Sequence, residues 1–266
     1  NGSTSVEVAL KMSFQYWHNL GLKKKTKFIC LDHGYHGDTI GTMSVSGLDL
    51  FNKVFSPLLY PSYKVPSPYC YRCPVKKDKS SCAIDCTKPL EKLLQDKHAE
   101  ICASIIEPLV MGAAGMIIYP KEYLEQVAGL AKKYKVHLIL DEVAVGFGRT
   151  GSMFAYEHVP GIKADFLCLS KGITSGYLPL AVTLTAEQIF QAFYADYEKR
   201  KTFFHGHTYT ANPVACAAAL ASLEIFKEEK TMQKVNKLMP FFHRELEKFR
   251  DLDLVGDVRY IGFIGA

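Results

Sequence analysis

The sequence predicts a three-layer αβα domain of the α/β class, built on a mostly parallel central sheet. Short, β-branched apolar runs alternate with amphipathic helical stretches along its 266 residues, which is typical of a parallel sheet covered by helices. Three of the apolar runs end directly at an ionisable residue, where open α/β sheets bind their ligands. The chain is 48% hydrophobic and 22% charged, which fits a globular domain with a substantial core.

The first part of the chain combines one helix, one strand and a long irregular stretch. Apolar residues recur every three or four positions over 3–20, so we predict an amphipathic helix that Ser3 or Thr4 caps and Gly21 ends. The run FICL predicts a buried strand over 28–31. Residues 47–86 contain several prolines and tyrosines, and we expect them to form loops.

From residue 88 onwards, helices and strands alternate. Runs of four or five mostly apolar residues predict strands over 102–106, 136–140, 165–169 and 180–184. Helical periodicity predicts helices over 88–97, 121–134, 186–199, 213–228 and 231–250. The last apolar run, over 258–264, is expected to be a strand.

No linker or shift in composition divides the chain, so we expect a single domain over 1–266. The chain opens on Asn1-Gly2-Ser3-Thr4 without an initiator Met and closes within an apolar run. We therefore expect it to be a fragment of a longer protein.

The net charge of +5 favours neither a nucleic-acid nor a membrane partner. Two lysine runs are the densest basic segments, and neither is interleaved with aromatic residues as a nucleic-acid surface would be. We expect both to be solvated loops; they comprise Lys23, Lys24, Lys25 and Lys27, and Lys76, Lys77 and Lys79. No apolar stretch approaches the ~20 residues that cross a bilayer.

Eight cysteines fall into two groups. Four stand singly in apolar stretches and are expected to be reduced core residues in a cytoplasmic protein: Cys30, Cys102, Cys168 and Cys216. The other four, Cys70, Cys73, Cys82 and Cys86, follow the pattern C-x2-C-x8-C-x3-C. Such thiols can hold a structural zinc ion or an iron–sulfur cluster, or they can be reduced thiols or a disulfide in an exposed insertion.

Glu107, Asp141 and Lys171 are the three ionisable residues that follow apolar runs. Because the carboxyl ends of parallel strands share one edge, we expect these side chains to converge there. Lys171 is either a lysine that emerges into solvent or an amine that is kept at a buried strand end to form an imine.

This set of residues suits pyridoxal phosphate, which needs an imine-forming lysine, an acid beside its pyridine nitrogen, flat contacts on both ring faces and a phosphate cradle. Lys171 and Asp141 are candidates for the first two. Val143 and Tyr35 can pack on the ring faces. The start of the first helix, at Gly2-Ser3-Thr4, is a potential phosphate site, although any helix N-terminus looks alike.

Two segments resemble the signature of the class III aminotransferases: DEVAVGFGRTG over 141–151 and LSKG over 169–172. Further matches occur in the order that this family uses, namely Gly2-Ser3-Thr4, YHGDT over 35–39, IEP over 106–108, and Thr208. The resemblance implies a fold-type I, pyridoxal-phosphate-dependent transferase. The chain would then be the large domain, without the small domain that the natural terminal segments build.

The resemblance also implies roles for individual residues. Lys171 would be the Schiff-base and proton-shuttling lysine, and Asp141 the partner of the pyridine nitrogen. Tyr35 and Val143 would enclose the ring, and Glu107 would be an acid near the cofactor.

The same resemblance extends to phosphate, partner subunit and substrate. Gly2 and Ser3 would bind the phosphate, and Thr208 would reach the phosphate of the neighbouring subunit's cofactor. The active site would therefore lie at a homodimer interface. Arg149 and Tyr35 would contact a small-molecule amino donor or oxo-acid acceptor, with a loop-fixing role as the alternative for Arg149.

Within the family, three segments favour the members that convert 8-amino-7-oxononanoate to 7,8-diaminononanoate in biotin synthesis, with S-adenosylmethionine as the expected amino donor. These segments lie within 5–17, 34–45 and 205–213. Residues 111–115, MGAAG, lack the glutamate that many other ω-aminotransferases carry there. Another ω-amino-acid or amine aminotransferase is the nearest alternative.

Two alternatives lie outside the family. The chain can be a binding module that is organised by metal at the cysteines between Cys70 and Cys86. It can also be a dinucleotide-binding domain, which is disfavoured because no G-x-G-x-x-G follows the first strands.

Overall fold

The computed structural model describes residues 1–78 and 80–266, so Lys79 of the second lysine run lies outside the described part. Its main sheet has the strand order β2-β1-β3-β6-β7-β8, parallel throughout except for the antiparallel pair β7–β8. The strands are β1 (Lys27–Leu31), β2 (Tyr63–Val65), β3 (Ile101–Ile106), β6 (His137–Asp141), β7 (Phe166–Leu169) and β8 (Val182–Thr185). Two short hairpins stand apart from it: β4 (Val110–Met111) with β5 (Ile117–Ile118), and β9 (Tyr260–Ile261) with β10 (Ile264–Gly265).

The helices follow the predicted alternation. They are α1 (Gly2–Asn19), α2 (Ile40–Ser44), α3 (Asp49–Asn52), α4 (Lys88–Lys97), α5 (Lys121–Lys133), α6 (Glu187–Gln191), α7 (Pro213–Glu228) and α8 (Thr231–Glu247). Short 3-10 turns occupy Lys53–Leu58, Asp85–Thr87, His98–Glu100, Ala155–His158, Lys171–Thr174, Tyr197–Lys199 and Lys248–Asp251. Within the described residues, none of the helices is both long and apolar enough to span a bilayer.

Side-chain alternation along the strands places the sheet between two apolar layers. On β6, Leu138 and Leu140 belong to the core cluster that includes α4 and α5, whereas Ile139 belongs to the cluster that includes α1. Strand β7 divides in the same way, with Leu167 on the first side and Phe166 on the second. The predicted αβα layering is therefore confirmed.

Several predicted elements were wrong. The stretch 47–86, predicted to form loops, contains β2, a short edge strand of the main sheet. The prolines around β2 led to the loop prediction. The helix predicted over 186–199 is α-helical only over Glu187–Gln191, with a separate 3-10 turn at Tyr197–Lys199. The predicted strand over 258–264 folds back as the β9–β10 hairpin, because Gly262 adopts a positive φ of 58°.

Two further expectations change at the first helix and strand. Asn1, rather than Ser3 or Thr4, caps α1, because its side-chain oxygen accepts a hydrogen bond from the Thr4 amide at 3.2 Å. Lys25 is not in a solvated loop. Its ammonium is buried over the Trp17 ring and donates to the carbonyls of His98, Ile101 and Lys135 at 2.9, 2.7 and 2.9 Å.

Candidate active site

The three ionisable residues predicted to converge lie at the carboxyl ends of neighbouring parallel strands. Strand β3 pairs with β6, where Ile106 is opposite Leu140, and β6 pairs with β7, where Asp141 is opposite Cys168. Asp141 is therefore the last residue of β6, and Glu107 and Lys171 follow the ends of β3 and β7, so all three lie at one edge of the sheet.

Asp141 is buried and held in a fixed orientation. One carboxylate oxygen, Oδ2, lies 2.7 Å from Nδ1 of His36, and the other accepts a hydrogen bond from the Val143 amide at 3.1 Å. His36 is buried as well, and its backbone amide donates to Ser46 Oγ at 3.2 Å. Sequence reasoning placed His36 inside a family motif but gave it no role, because only the fold brings residues 36 and 141 together.

Glu107 connects two loops beneath the same edge. Its carboxylate accepts hydrogen bonds from the amides of Tyr35 at 3.0 Å and Gly112 at 2.9 Å. Burial is the main reason that the pKa of Glu107 is raised to about 7; His36 opposes this shift, and the negative charge of Asp141 adds to it. Glu107 thus fixes the backbone of Tyr35 rather than standing free in the site.

The start of α1 packs closely against this edge. A Cβ on Gly2 would stand 2.5 Å from Cγ1 of Val143, and a Cβ on Gly37 would overlap Oγ of Ser3. Gly37 also has a φ of 123°, which L side chains rarely adopt. Of the predicted phosphate residues, Gly2 therefore lies beside Val143 and Ser3 beside Gly37, at the positive end of an 18-residue helix.

Tyr35 is half-buried in the loop after β1. Its hydroxyl donates a hydrogen bond to Asp38 at 2.8 Å, and its ring meets Phe51 edge-on with centroids 5.8 Å apart. Burial, and then the hydrogen bond to Asp38, raise the pKa of Tyr35 to about 12. The phenol is therefore protonated at neutral pH and can act as a flat contact and a donor.

Lys171 begins the 3-10 turn after β7 and has a positive φ of 43°. The next residue, Gly172, packs against Phe147: a Cβ at Gly172 would stand 2.8 Å from the Cβ of Phe147. A non-glycine residue in this backbone region is strained, and such strain clusters at functional sites. The exposed side chain of Lys171 borders the cavity described next.

A cavity of about 800 Å³ opens beside Lys171. Val143, Arg149, Met116 and Phe263 line it together with Lys171, whereas Asp141 and Tyr35 do not. Arg149 is exposed at this cavity. The cavity therefore adjoins the end of the sheet at Lys171, and two cationic side chains, Lys171 and Arg149, line it.

Thr208 is the predicted site residue that the single chain does not bring to this edge. It lies exposed in the loop before α7, outside the residues that line the cavity.

Glu142 is a buried acid for which the sequence analysis predicted no role. Its carboxylate accepts hydrogen bonds from the amides of Ala155 and Tyr156, each at 2.9 Å, and burial raises its pKa to about 7. Glu142 thereby closes the loop that carries Arg149. Its adjacency to Asp141 in sequence was the only available signal.

The four clustered cysteines line one small cavity of about 210 Å³, beside Pro120 at the start of α5. Across residues 1–78 and 80–266, no three His, Cys, Asp or Glu side chains are arranged to hold a metal ion. The alternative of a metal-organised module is not favoured.

Known proteins resemble the whole chain. A family model described as "Aminotransferase class-III" matches residues 1–266. The adenosylmethionine-8-amino-7-oxononanoate aminotransferase of Geobacter sulfurreducens is 48% identical over 267 residues, covering 100% of this chain and 59% of that protein. The protein of the same name from Aquifex aeolicus is 46% identical over 268 residues, with 100% and 58% covered.

Solved structures agree with these relatives. The crystal structure of the adenosylmethionine-8-amino-7-oxononanoate aminotransferase from Methanocaldococcus jannaschii is similar with a TM-score of 0.92 at 44% identity, covering 100% of this chain and 58% of that one. A thermostable omega transaminase from Pseudomonas jessenii gives 0.93 at 34% identity, with 100% and 59% covered. The fold-type I prediction is confirmed, and the chain spans about three-fifths of the length of these proteins.

Proposed function

This chain belongs to the class III aminotransferase family, and on that premise we propose that residues 1–266 form the large, cofactor-holding domain of a transaminase. Enzymes of this family depend on pyridoxal phosphate, which serves as an electron sink for the carbanion left when a substrate loses its Cα proton. The observation that carries the proposal is the placement of Asp141 and Lys171 at the carboxyl ends of adjacent parallel strands.

The residues at this edge fit that cofactor. Close packing of Gly2 against Val143, and of Gly37 against Ser3, leaves helix amides and a hydroxyl at the mouth of α1, where a phosphate binds well. Val143 and the half-buried Tyr35 offer apolar surface for a flat ring. Glu107 positions Tyr35 through its backbone amide.

Asp141 would keep a proton on the pyridine nitrogen, and His36 would hold Asp141 for that task. Because His36 Nδ1 and the Val143 amide each contact a different carboxylate oxygen, the carboxylate cannot rotate freely. A buried, oriented carboxylate interacts more strongly with a nearby cation than a solvated one does.

Lys171 would bind the cofactor covalently through Nζ and, once displaced by an amino donor, take up and return the Cα proton. Its place at the rim of the 800 Å³ cavity gives its amine access to both the cofactor edge and the substrate space.

For the substrate, we propose conversion of 8-amino-7-oxononanoate to 7,8-diaminononanoate, with S-adenosylmethionine as donor. The names of the relatives at 43–48% identity support this choice. The segment 111–115, which contains no acid, also supports it. Arg149 is the cationic residue, besides Lys171, that we expect to orient a substrate at the cavity.

We also propose a homodimer with Thr208 of each subunit at the other's phosphate site, and a location in the cytoplasm. The exposed loop position of Thr208 supports the first proposal. Buried thiols at Cys30, Cys102 and Cys168 suit a reducing compartment.

The decisive experiment uses the full-length protein loaded with pyridoxal phosphate and reduced with borohydride. Peptide mass spectrometry should find the phosphopyridoxyl mass on Lys171 in the wild type. Lys171→Ala should lose the adduct and transamination, whereas Lys163→Ala, which removes an exposed lysine elsewhere, should keep both. An adduct at another lysine would overturn the assignment.

A panel of substrates distinguishes an 8-amino-7-oxononanoate aminotransferase from another ω-aminotransferase of the same family. We expect turnover of 8-amino-7-oxononanoate with S-adenosylmethionine to exceed that of ω-amino acids or simple amines with pyruvate by at least about a hundredfold in kcat/KM. Equal or greater turnover of the simple amines would favour the other ω-aminotransferases.

A further inference from the structure

The turn between β4 and β5 has an unusual backbone. Gly115 and Met116 are both left-handed, with φ values of 95° and 54°. For methionine this conformation is strained, so surrounding contacts must hold it. The turn also matters for the site, because Gly112 and Met116 line the 800 Å³ cavity.

Arg259 supplies those contacts from the other end of the chain. Its guanidinium donates to the carbonyl of Met116 at 2.8 Å and to the carbonyl of Gly115, while Nη1 pairs with Asp257 at 2.7 Å. Arg259 immediately precedes β9, and its backbone pairs with Ala266 at 2.9 Å in both directions. The planar fork of arginine suits two adjacent carbonyls in a way that a lysine ammonium cannot match.

The opposite end of the same turn is fixed to the cofactor side. The Gly112 amide donates to Glu107 at 2.9 Å, and the other oxygen of Glu107 accepts from the Tyr35 amide at 3.0 Å. Residues 112–116 therefore bridge the sheet edge and the β9–β10 hairpin.

The β9–β10 hairpin also fixes Arg149. The Phe263 amide donates to the Arg149 carbonyl at 2.9 Å. Gly262, with a φ of 58°, approaches so closely that a Cβ would overlap the same carbonyl oxygen. One hairpin thus holds two walls of the cavity: the 112–116 turn through Arg259, and the Arg149 loop through its tip.

We propose that Arg259 is a positioning residue for the substrate side of the cavity, which sets the distance between the 112–116 turn and Arg149. Its effect on turnover rests on the proposed transaminase function. Its effect on the turn does not, so the two are measured separately.

The test compares Arg259→Met and Arg259→Lys in the full-length protein. Without the guanidinium, the strained turn should open, and amide hydrogen exchange over 110–118 should accelerate about tenfold in Arg259→Met. We expect KM for the oxo-acid acceptor to rise about tenfold while kcat stays within about threefold, since cofactor contacts are intact. Arg259→Lys should recover part of both effects.

Arg250→Met is the matched control. Arg250 also donates to the backbone near this hairpin, at the Val258 carbonyl (3.0 Å), and pairs with Glu247, but it does not touch the turn. It should leave exchange over 110–118 and the acceptor KM unchanged, even if it lowers the melting temperature.

Two results would contradict the role of Arg259. Equal exchange in the Arg259 and Arg250 variants would mean that Arg259 does not hold the turn, and faster exchange with an unchanged KM would mean that the turn does not position substrate. Either result overturns the proposal. Absence of transamination in the wild type would instead refute the proposed function, while the exchange comparison would still report on the turn.

Discussion

Two glycines show how single residues shape the proposed phosphate side of the site. Gly2 and Gly37 stand where a Cβ would collide with Val143 and Ser3, respectively. The absence of a side chain at these positions lets the mouth of α1 approach the sheet edge.

Gly37→Ala should therefore weaken cofactor binding as well as the fold. The added methyl must displace Ser3, so we expect about a tenfold loss of pyridoxal phosphate affinity, together with about 1–2 kcal/mol of backbone strain. Cofactor titration followed by absorbance, with urea unfolding of the cofactor-free protein, measures the two effects.

Gly161→Ala is the control for that prediction. Gly161 has a φ of 87°, and nothing lies within 4 Å of the position that an added methyl would take, so it should show the strain without the loss of affinity. If both variants lost affinity equally, strain rather than contact with Ser3 would explain the effect.

The sequence predicted the position of a residue correctly where a local pattern marked it. Asp141 and Lys171 each follow an apolar run, and that pattern alone placed them at strand ends. His36 and Glu142 had no such signal: the contact of His36 with Asp141 spans 105 positions in sequence. A polar residue whose partner is so distant looks like any loop residue.

At the scale of elements, α1 and β6 are joined by a buried aromatic contact. His137 stacks on Trp17 with centroids 4.5 Å apart, and its Nδ1 lies 2.9 Å from Ser13 Oγ. Burial, and then the positive charge of Lys25, lower the pKa of His137 to about 3. The folded protein therefore keeps this ring neutral.

This contact predicts an acid-sensitive stability. The unfolded chain takes up a proton at His137 near pH 6.5 and the folded chain only near pH 3, so stability is fully present above 6.5 and is lost as the pH falls. Relative to His137→Phe, which cannot titrate, the wild type should lose about 3 kcal/mol of unfolding free energy between pH 7 and pH 4. Urea unfolding at each pH measures the difference; parallel profiles would contradict the prediction.

Helices and strands were predicted correctly where they are long enough for the periodicity of their buried face to show in the sequence. Helix α4 begins and ends as predicted, whereas β2, only three residues long, was missed. A short edge strand carries too few residues for its periodicity to show, and only its pairing with β1 defines it.

At the scale of the whole molecule, the exposed segment 50–58 favours association. Leu50, Val54 and Leu58 are 87%, 83% and 64% exposed, which is unusual for neighbouring large apolar side chains. Together with the exposed Thr208, they support the proposed homodimer.

Subunit complementation tests whether sites are shared. Lys171→Ala and Thr208→Asp homodimers should both be inactive, the second because an added carboxylate repels phosphate. Random mixing of the two should restore about a quarter of wild-type activity, since half of the dimers then hold one intact site. Recovery of no activity, with heterodimers shown by native mass spectrometry, would place Thr208 in its own subunit's site or outside any site.

By itself, the sequence determined the layered α/β fold and the placement of Asp141 and Lys171 at one edge of the sheet, because these follow from local periodicity and from the ends of apolar runs. Only the tertiary structure decided that His36 holds Asp141, that Lys25 is buried, and that Arg259 reaches the 112–116 turn. Each of those contacts joins residues more than seventy positions apart. Contacts between such distant residues form only when the complete chain packs, so local sequence patterns cannot predict them.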